Sequence, residues 1–182
     1  QQIISVLPYR LVGGKMIVAM SVNGQERSFI FDTGGQVALT GELCDELGIP
    51  VTDSVKTTDA NGKEMSLPQV TISSLLTPDG VINFTGVPAM KLASSVPFKC
   101  FGVDGFIGSN LFKNMIVEID GKTKTILIST AEKASTISLR KMIPFSLKGY
   151  MPIITLQAGT GNNLEVLFDT GSPGFLSLKN SD

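Results

Sequence analysis

The chain has 182 residues, 42% of them hydrophobic and 17% charged, and its formal net charge is −1. This length and composition fit one large globular domain or two small lobes and exclude a disordered chain. No run of Lys or Arg indicates a nucleic-acid or membrane-surface partner, and no apolar stretch approaches the roughly 20 residues of a membrane span.

Histidine is absent from the sequence, which excludes Ser-His-Asp and Cys-His nucleophile systems and every His-ligated metal site. The two cysteines, Cys44 and Cys100, do not form a C-x-x-C motif, so we expect no metal and no cofactor. The sequence leaves two alternatives for these residues, a disulfide between them or a buried free thiol at Cys44. Any hydrolytic chemistry must use carboxylates, lysines, hydroxyls or water.

The first ten residues, QQIISVLPYR, contain no basic segment followed by an apolar one. A signal peptide, if one existed, has therefore been removed. A start at Gln1 fits an exported bacterial protein of the periplasm, the cell surface or the medium, although a chosen fragment boundary would look the same.

Short β-branched runs separated by Gly and Pro predict a mostly β structure. The clearest hairpin places KMIVAMSV and QERSFIF on either side of Asn23-Gly24, and a second turns at Asp120-Gly121. A third is expected around Asn61-Gly62. The segment 40–49 predicts a helix with Thr40 as its N-cap, and a shorter helical turn is expected after Ser109.

An internal repeat aligns residues 7–35 with residues 143–172. Pro8 matches Pro144, and the two copies end in FIFDTGG and VLFDTGS. We therefore expect a complete lobe at residues 1–130, a linker at 131–138 and the N-terminal part of a second lobe at 139–182.

The Asp-Thr-Gly sequence suits acid–base chemistry when two copies meet. Two carboxylates about 3 Å apart cannot both ionise, so the pair holds one proton and can both activate a water and polarise a carbonyl. We expect Asp32 and Asp169 to be the catalytic pair. The residues expected to support the pair through hydroxyls and close backbone approach are Thr33, Gly34, Thr170, Gly171 and Ser172. The alternative is two ordinary strand-to-turn junctions, each capped by an Asp.

These motifs resemble the pepsin and retropepsin superfamily of aspartic proteases. The segment DGFIGSNLF (104–112) resembles the family's apolar-apolar-Gly element, which packs behind the Asp-Thr-Gly turn. The resemblance implies an all-β, pepsin/retropepsin-like acid-protease barrel with one complete lobe and part of a second. It also implies an aspartic endopeptidase acting on peptides or proteins, with a flap whose tip is Ala60, Asn61 and Gly62.

Three departures from the family pattern lead to alternatives. Gly35 replaces the usual Ser, Thr or Ala, so Asp32 lacks a side-chain hydrogen bond that Ser172 could offer Asp169. The flap segment has no Tyr. The second lobe ends at Asp182, so a C-terminal remainder or another chain is expected to complete it. One alternative is a homodimeric protease that uses Asp32 from two chains. Another is a catalytically silent, exported peptide- or glycan-binding module on the same fold.

Overall fold

Strands dominate the structure, a computed structural model that describes residues 3–58, 64–93, 96–130, 143–159, 161–172 and 174. The predicted all-β class is thus confirmed. Ten strands belong to one mixed sheet: β1 (Ile4–Val12), β2 (Lys15–Val22), β3 (Gln25–Asp32), β4 (Ala38–Thr40), β5 (Val51–Thr58), β6 (Glu64–Leu76), β7 (Asn83–Leu92), β8 (Gly105–Gly108), β9 (Met115–Asp120) and β10 (Thr125–Thr130).

Six of these strands close into a barrel. The sheet order is β5-β6-β7-β4-β8-β3-β2-β1-β10-β9, and an additional pairing joins β6 to β2. The closed ring is therefore β6-β7-β4-β8-β3-β2. Most neighbours are antiparallel, but β3 pairs with β8 and β4 pairs with β7 in parallel. The remaining strands extend the sheet beyond β2 and β6.

The core holds the side chains that face inward from the strands. In β1 every second residue from Ser5 to Tyr9 is buried, as expected of a strand with one solvated face. Phe31, which is fully buried, stacks on Phe112 with ring centroids 5.6 Å apart. This packing anchors the end of β3, the point at which the chain reaches Asp32.

The hairpin predicted at Asn23-Gly24 is confirmed. Asn23 and Gly24 have φ values of 49° and 90°, and Val22 pairs with Gln25 across the turn. Two positive φ angles give the turn a twist that matches its flanking strands. The second predicted hairpin also forms, but its turn is longer than Asp120-Gly121, since β10 begins only at Thr125.

The predicted helix is present but shorter than expected. Helix α1 spans Gly41–Glu46, and the Thr40 hydroxyl accepts a hydrogen bond from the Leu43 N–H at 3.3 Å, as an N-cap does. The chain leaves the helix at Gly48, whose φ is +61°. The turn expected after Ser109 is a single 3₁₀ turn, Ser109–Phe112.

A second helix, α2 (Val96–Phe101), was not predicted from the sequence. Its partly exposed Phe98 and Phe101 pack on a small apolar cluster that includes Ile17 and Ile30. Cys100 lies exposed on α2 and Cys44 lies buried on α1, and both are free thiols. Of the two open alternatives, the buried free thiol is the one observed.

The repeat predicted from the sequence is visible in a second, three-stranded antiparallel sheet. Its strands are β11 (Phe145–Lys148), β12 (Met151–Ala158) and β13 (Asn162–Leu167), in the order β11-β12-β13. They follow one another as β1, β2 and β3 do, and both series lead directly into Asp-Thr-Gly.

Two sequence-based expectations fall outside the described residues. These are the linker at 131–138 and the flap tip at Ala60, Asn61 and Gly62. The hairpin leading to that tip is described, with β5 and β6 paired up to Thr58 and Glu64. Among the described residues, no helix has the length and apolar character needed to traverse a bilayer.

Candidate active site

The first Asp-Thr-Gly loop begins where a buried parallel pair of strands ends. In the pairing of β3 with β8, Phe31 lies opposite Ile107 and Asp32 lies opposite Gly108. A Cβ on Gly108 would lie 2.3 Å from the carbonyl carbon of Gln36, so only glycine allows this close backbone approach. The apolar-apolar-Gly element therefore supports the loop from behind, as the family resemblance implied.

The 3₁₀ turn after β8 holds the same loop by hydrogen bonds. The Ser109 hydroxyl donates to the Thr33 carbonyl at 2.6 Å, and the Ser109 N–H donates to the Gly35 carbonyl at 3.1 Å. Asn110 adds a third bond, since its Oδ1 accepts from the Val37 N–H at 2.8 Å. These contacts fix the backbone on both sides of Gly34.

Each loop binds its own carboxylate in the same way. The Gly34 N–H donates to Asp32 Oδ1 at 2.9 Å, and the Gly171 N–H donates to Asp169 Oδ1 at 2.7 Å. The second loop is held to its own sheet by the Phe168 N–H, which donates to the Pro152 carbonyl at 2.9 Å. The two motifs are thus equivalent in local structure as well as in sequence.

Four reciprocal hydrogen bonds join the two loops. The Thr33 hydroxyl donates to the Phe168 carbonyl at 2.6 Å and accepts from the Thr170 N–H at 3.0 Å. The Thr170 hydroxyl donates to the Phe31 carbonyl at 2.8 Å and accepts from the Thr33 N–H at 3.1 Å. Each threonine therefore satisfies backbone groups of the opposite loop, which holds the two aspartates face to face.

Asp32 and Asp169 meet at the centre of this arrangement. A Cβ on Gly34 would lie 2.5 Å from Asp169 Cγ, and a Cβ on Gly171 would lie 2.4 Å from Asp32 Cγ. Each carboxyl group therefore sits against the glycine of the other motif, and the two side chains are close enough to hydrogen-bond each other. A side chain at either glycine would push the carboxyl groups away from this position.

The environment of Asp32 raises its pKa to about 6. Burial contributes most to the rise, followed by the negative charge of Asp169 and by the hydrogen bond between the two side chains. The Gly34 N–H and the Lys15 ammonium act in the opposite direction and lower the pKa of Asp32. A carboxyl pair of this kind retains a proton in mildly acidic solution, the state that acid–base catalysis by two aspartates requires.

The residues that follow the two motifs differ, as the sequence indicated. A Cβ on Gly35 would lie 2.6 Å from Asp32 Oδ2, so a larger residue there would require the carboxyl group to shift. The Ser172 hydroxyl accepts from the Gly174 N–H at 3.5 Å, and no hydrogen bond joins it to Asp169 in the described part of the loop. The dyad is thus held by glycine N–H groups rather than by hydroxyls at these positions.

A family model described as "Aspartyl protease" matches residues 18–111, more than half of the chain. The chain belongs to the aspartyl protease family. This confirms the resemblance drawn from the sequence. The matched region contains the first aspartate loop and the apolar-apolar-Gly element but not Asp169.

Two solved structures are similar to this aspartyl protease family member. A retropepsin-like aspartic protease from Rickettsia conorii is 18% identical, with 71% of this chain and 94% of that chain covered and a TM-score of 0.49. The structure of edgp is 10% identical, with 88% of this chain and 53% of that chain covered and a TM-score of 0.46. No curated protein compared with the chain matches it.

A cavity between the two units of the repeat does not include either aspartate in its wall. It has a volume of about 750 Å³ and lies between the 3₁₀ turn and β9 of the first unit and β11 and β12 of the second. Thr33 and Phe168 contribute to its wall, but neither Asp32 nor Asp169 does. No group of three or more Cys, Asp or Glu side chains among the described residues is arranged to hold a metal ion.

One residue at the site was missed by the sequence analysis. Lys15, the first residue of β2, is only 7% exposed, and its Nζ donates a hydrogen bond to the Gly171 carbonyl. A lysine at the start of a strand normally indicates a solvated position. The local sequence does not distinguish Lys15 from the other lysines of the chain, because its hydrogen-bond partner, Gly171, lies 156 residues away along the chain.

Proposed function

We propose that this chain is an aspartic endopeptidase and that Asp32 and Asp169 form its catalytic pair. The observation that carries the proposal is the contact between the two carboxyl groups, each lying against the glycine of the opposite motif. Membership of the aspartyl protease family supports the reaction class. The reciprocal threonine contacts support the assignment of both aspartates to one site.

In the proposed reaction one carboxyl group is protonated and the other is ionised. The ionised group takes a proton from a water molecule, whose oxygen bonds to the carbonyl carbon of the scissile peptide. The protonated group donates its proton to the carbonyl oxygen, which gives a neutral tetrahedral diol. The C–N bond then breaks as the group that took the water's proton donates it to the amide nitrogen, while the other carboxylate takes a proton from a diol hydroxyl and the carbonyl re-forms. The raised pKa of Asp32 favours it as the protonated partner at the start, although the proton belongs to the pair.

The proposed substrate is an extended segment of a peptide or protein lying across the two loops. In this proposal the hairpin of β5 and β6 covers the substrate, and its tip at Ala60, Asn61 and Gly62 remains a sequence-based prediction. The loops supply two hydrogen-bonding carboxyl groups at the centre of the site. The pair needs no further group for the proton transfers.

The test is to incubate the protein and two variants, Asp32→Asn and Asp169→Asn, with a mixture of unrelated peptides between pH 3 and pH 8. Cleavage is measured by mass spectrometry. We expect each variant to lose about 10²- to 10⁴-fold in rate, the usual contribution of a positioned acid or base. Glu118→Gln, which changes an exposed carboxylate on β9, serves as the matched control and should cleave normally.

Two outcomes would overturn this assignment. If activity depends on protein concentration and survives Asp169→Asn, the catalytic pair is Asp32 from two chains of a homodimer. If no peptide is cleaved at any pH, while an extended peptide binds equally well to the protein and to Asp32→Asn, the chain is a binding module.

A further inference from the structure

Lys15 is the one charged side chain that is buried among the residues described in this structure. Removing an ammonium group from water costs free energy unless its hydrogen bonds and charge find partners in the protein. Lysines that serve only for solubility remain at the surface. A specific interaction must therefore offset the burial of Lys15.

The hydrogen-bond partner of Lys15 belongs to the other unit of the repeat. Lys15 lies at the turn between β1 and β2, opposite Val12, and its Nζ donates to the Gly171 carbonyl. Gly171 is the glycine of the second motif, and its own N–H donates to Asp169 Oδ1. Lys15 thus binds the peptide segment that holds Asp169, at the glycine that packs against the Asp32 carboxyl group.

The charge of Lys15 also acts on the aspartate pair. Burial raises the pKa of Asp32 most, and the neighbouring groups that also act on it are the Asp169 carboxyl group, the Gly34 N–H and the Lys15 ammonium. Asp169 raises the pKa of Asp32, whereas Gly34 and Lys15 lower it. Because the site is partly buried, the effect of a nearby charge is screened less than it is at a surface.

We propose that Lys15 is a positioning residue of the aspartate pair. It docks the second motif against the first unit through the Gly171 carbonyl, and its positive charge favours the ionised form of the pair. This inference rests on the proposed function for its kinetic consequences, but its electrostatic consequence is independent of catalysis. Lys15 does not itself transfer a proton.

The kinetic test compares Lys15→Met, Lys15→Arg and the control Lys122→Met, which changes an exposed lysine in the turn after β9. Met keeps the length of the side chain but removes the charge and the donor. We expect Lys15→Met to lower kcat by up to about a hundredfold, the effect of a small misplacement of catalytic groups, with KM nearly unchanged. Its activity should also persist to higher pH than that of the unmodified protein. Lys15→Arg should restore the original pH profile, and Lys122→Met should behave as the unmodified protein.

A second measurement needs no catalytic activity. In protein labelled with ¹³C at aspartate carboxyl groups, NMR titration follows the ionisation of Asp32 directly. We expect the pH at the midpoint of Asp32 ionisation to be higher in Lys15→Met than in the unmodified protein and to be unchanged in Lys15→Arg. Thermal unfolding of each variant shows whether the fold is intact.

The outcomes distinguish this inference from the proposed function. If the unmodified protein cleaves no peptide, the proposed function fails, and the NMR midpoints alone decide the role of Lys15. If Lys15→Met unfolds at lower temperature but retains the kcat, the pH profile and the Asp32 midpoint of the unmodified protein, Lys15 is merely structural and the inference is overturned. If Lys15→Met does not fold, an unchanged Asp32 midpoint in Lys15→Gln would overturn it equally.

Discussion

Thr33 and Thr170 take part in four hydrogen bonds between the two loops, since each hydroxyl accepts from the N–H of the other threonine and donates to the carbonyl of the residue two positions before it. These two residues are 137 positions apart in the chain. Their contact links the two Asp-Thr-Gly loops directly, beside the contact of the two carboxyl groups. It therefore contributes both to the alignment of the aspartates and to the contact between the two units.

Removal of one hydroxyl should destabilise the protein measurably. Thr33→Val retains the shape of the side chain but loses one donor and one acceptor, which leaves the Phe168 carbonyl and the Thr170 N–H unpaired. We expect the free energy of unfolding to fall by about 1–3 kcal/mol, measured by urea denaturation. Thr33→Ser keeps the hydroxyl and serves as the control. The double variant with Thr170→Val should lose less than the sum of the two single variants, because the two residues share one network. Strict additivity would show that the network is not cooperative.

The activity of the unmodified protein should fall as the pH rises through about 6, the value to which burial and Asp169 raise the pKa of Asp32. The proposed reaction requires one proton on the pair, and a carboxyl group holds its proton below its pKa and loses it above. On the alkaline side kcat/KM should decrease about tenfold per pH unit. The measurement is kcat/KM for a fluorogenic peptide between pH 3 and pH 8. A profile without an inflection between pH 5 and pH 7 would contradict the assignment.

Asp79 should contribute to stability in a manner that depends on pH. Burial would raise the pKa of this carboxyl group, but hydrogen bonds from the Val6 N–H, the Thr77 and Ser5 hydroxyls and the Val81 N–H outweigh it and lower the pKa to about 2. In the unfolded chain the pKa of Asp is about 3.9. The folded pKa is the lower one, so the stabilisation is present above pH ~4 and is lost as the pH falls towards the folded value.

The variant Asp79→Asn tests this contribution. At pH 7 it should reduce the free energy of unfolding by about 1 kcal/mol, a charged hydrogen-bond contribution discounted for the exposure of the side chain. The difference between variant and unmodified protein should be much smaller at pH 2 than at pH 7. Glu118→Gln, an exposed carboxylate on β9, should show neither effect. A destabilisation by Asp79→Asn that stays constant from pH 7 to pH 2 would disagree with the lowered pKa.

Gly108 should not accept a side chain. A Cβ there would lie 2.3 Å from the carbonyl carbon of Gln36 and 2.5 Å from the Gly35 oxygen, both of them backbone atoms. Gly108→Ala should therefore separate β8 from the first aspartate loop and destabilise the protein by about 1–3 kcal/mol. Gly121→Ala is the matched control, because a Cβ at Gly121 meets no atom within 4 Å. Equal melting temperatures for the two variants would indicate that β8 can move away from the first aspartate loop without loss of stability.

The sequence alone determined the class of the fold and the identity of the two motifs. Short β-branched runs separated by Gly and Pro predicted strands, because β-branched side chains pack well on the surface of a sheet. The Asn23-Gly24 turn was predictable because few residues adopt the positive φ values that such a hairpin needs. The repeat was recognisable because both copies have a matching proline near their start, Pro8 and Pro144, and end in the same Asp-Thr-Gly. Thr40 was recognised as a cap because its partner, the Leu43 N–H, is only three residues away.

Which distant residues meet depends on the tertiary structure. Asp79 binds Ser5 across 74 residues and Lys15 binds Gly171 across 156 residues, and neither pairing has a local signal. Helix α2 was missed because its six residues are too few to display a helical period. The raised pKa of Asp32 likewise depends on burial and on Asp169, which approaches only when the two units associate. Patterns along a chain report local backbone preference, whereas the ionisation and contacts of a site depend on the three-dimensional packing of residues far apart in sequence.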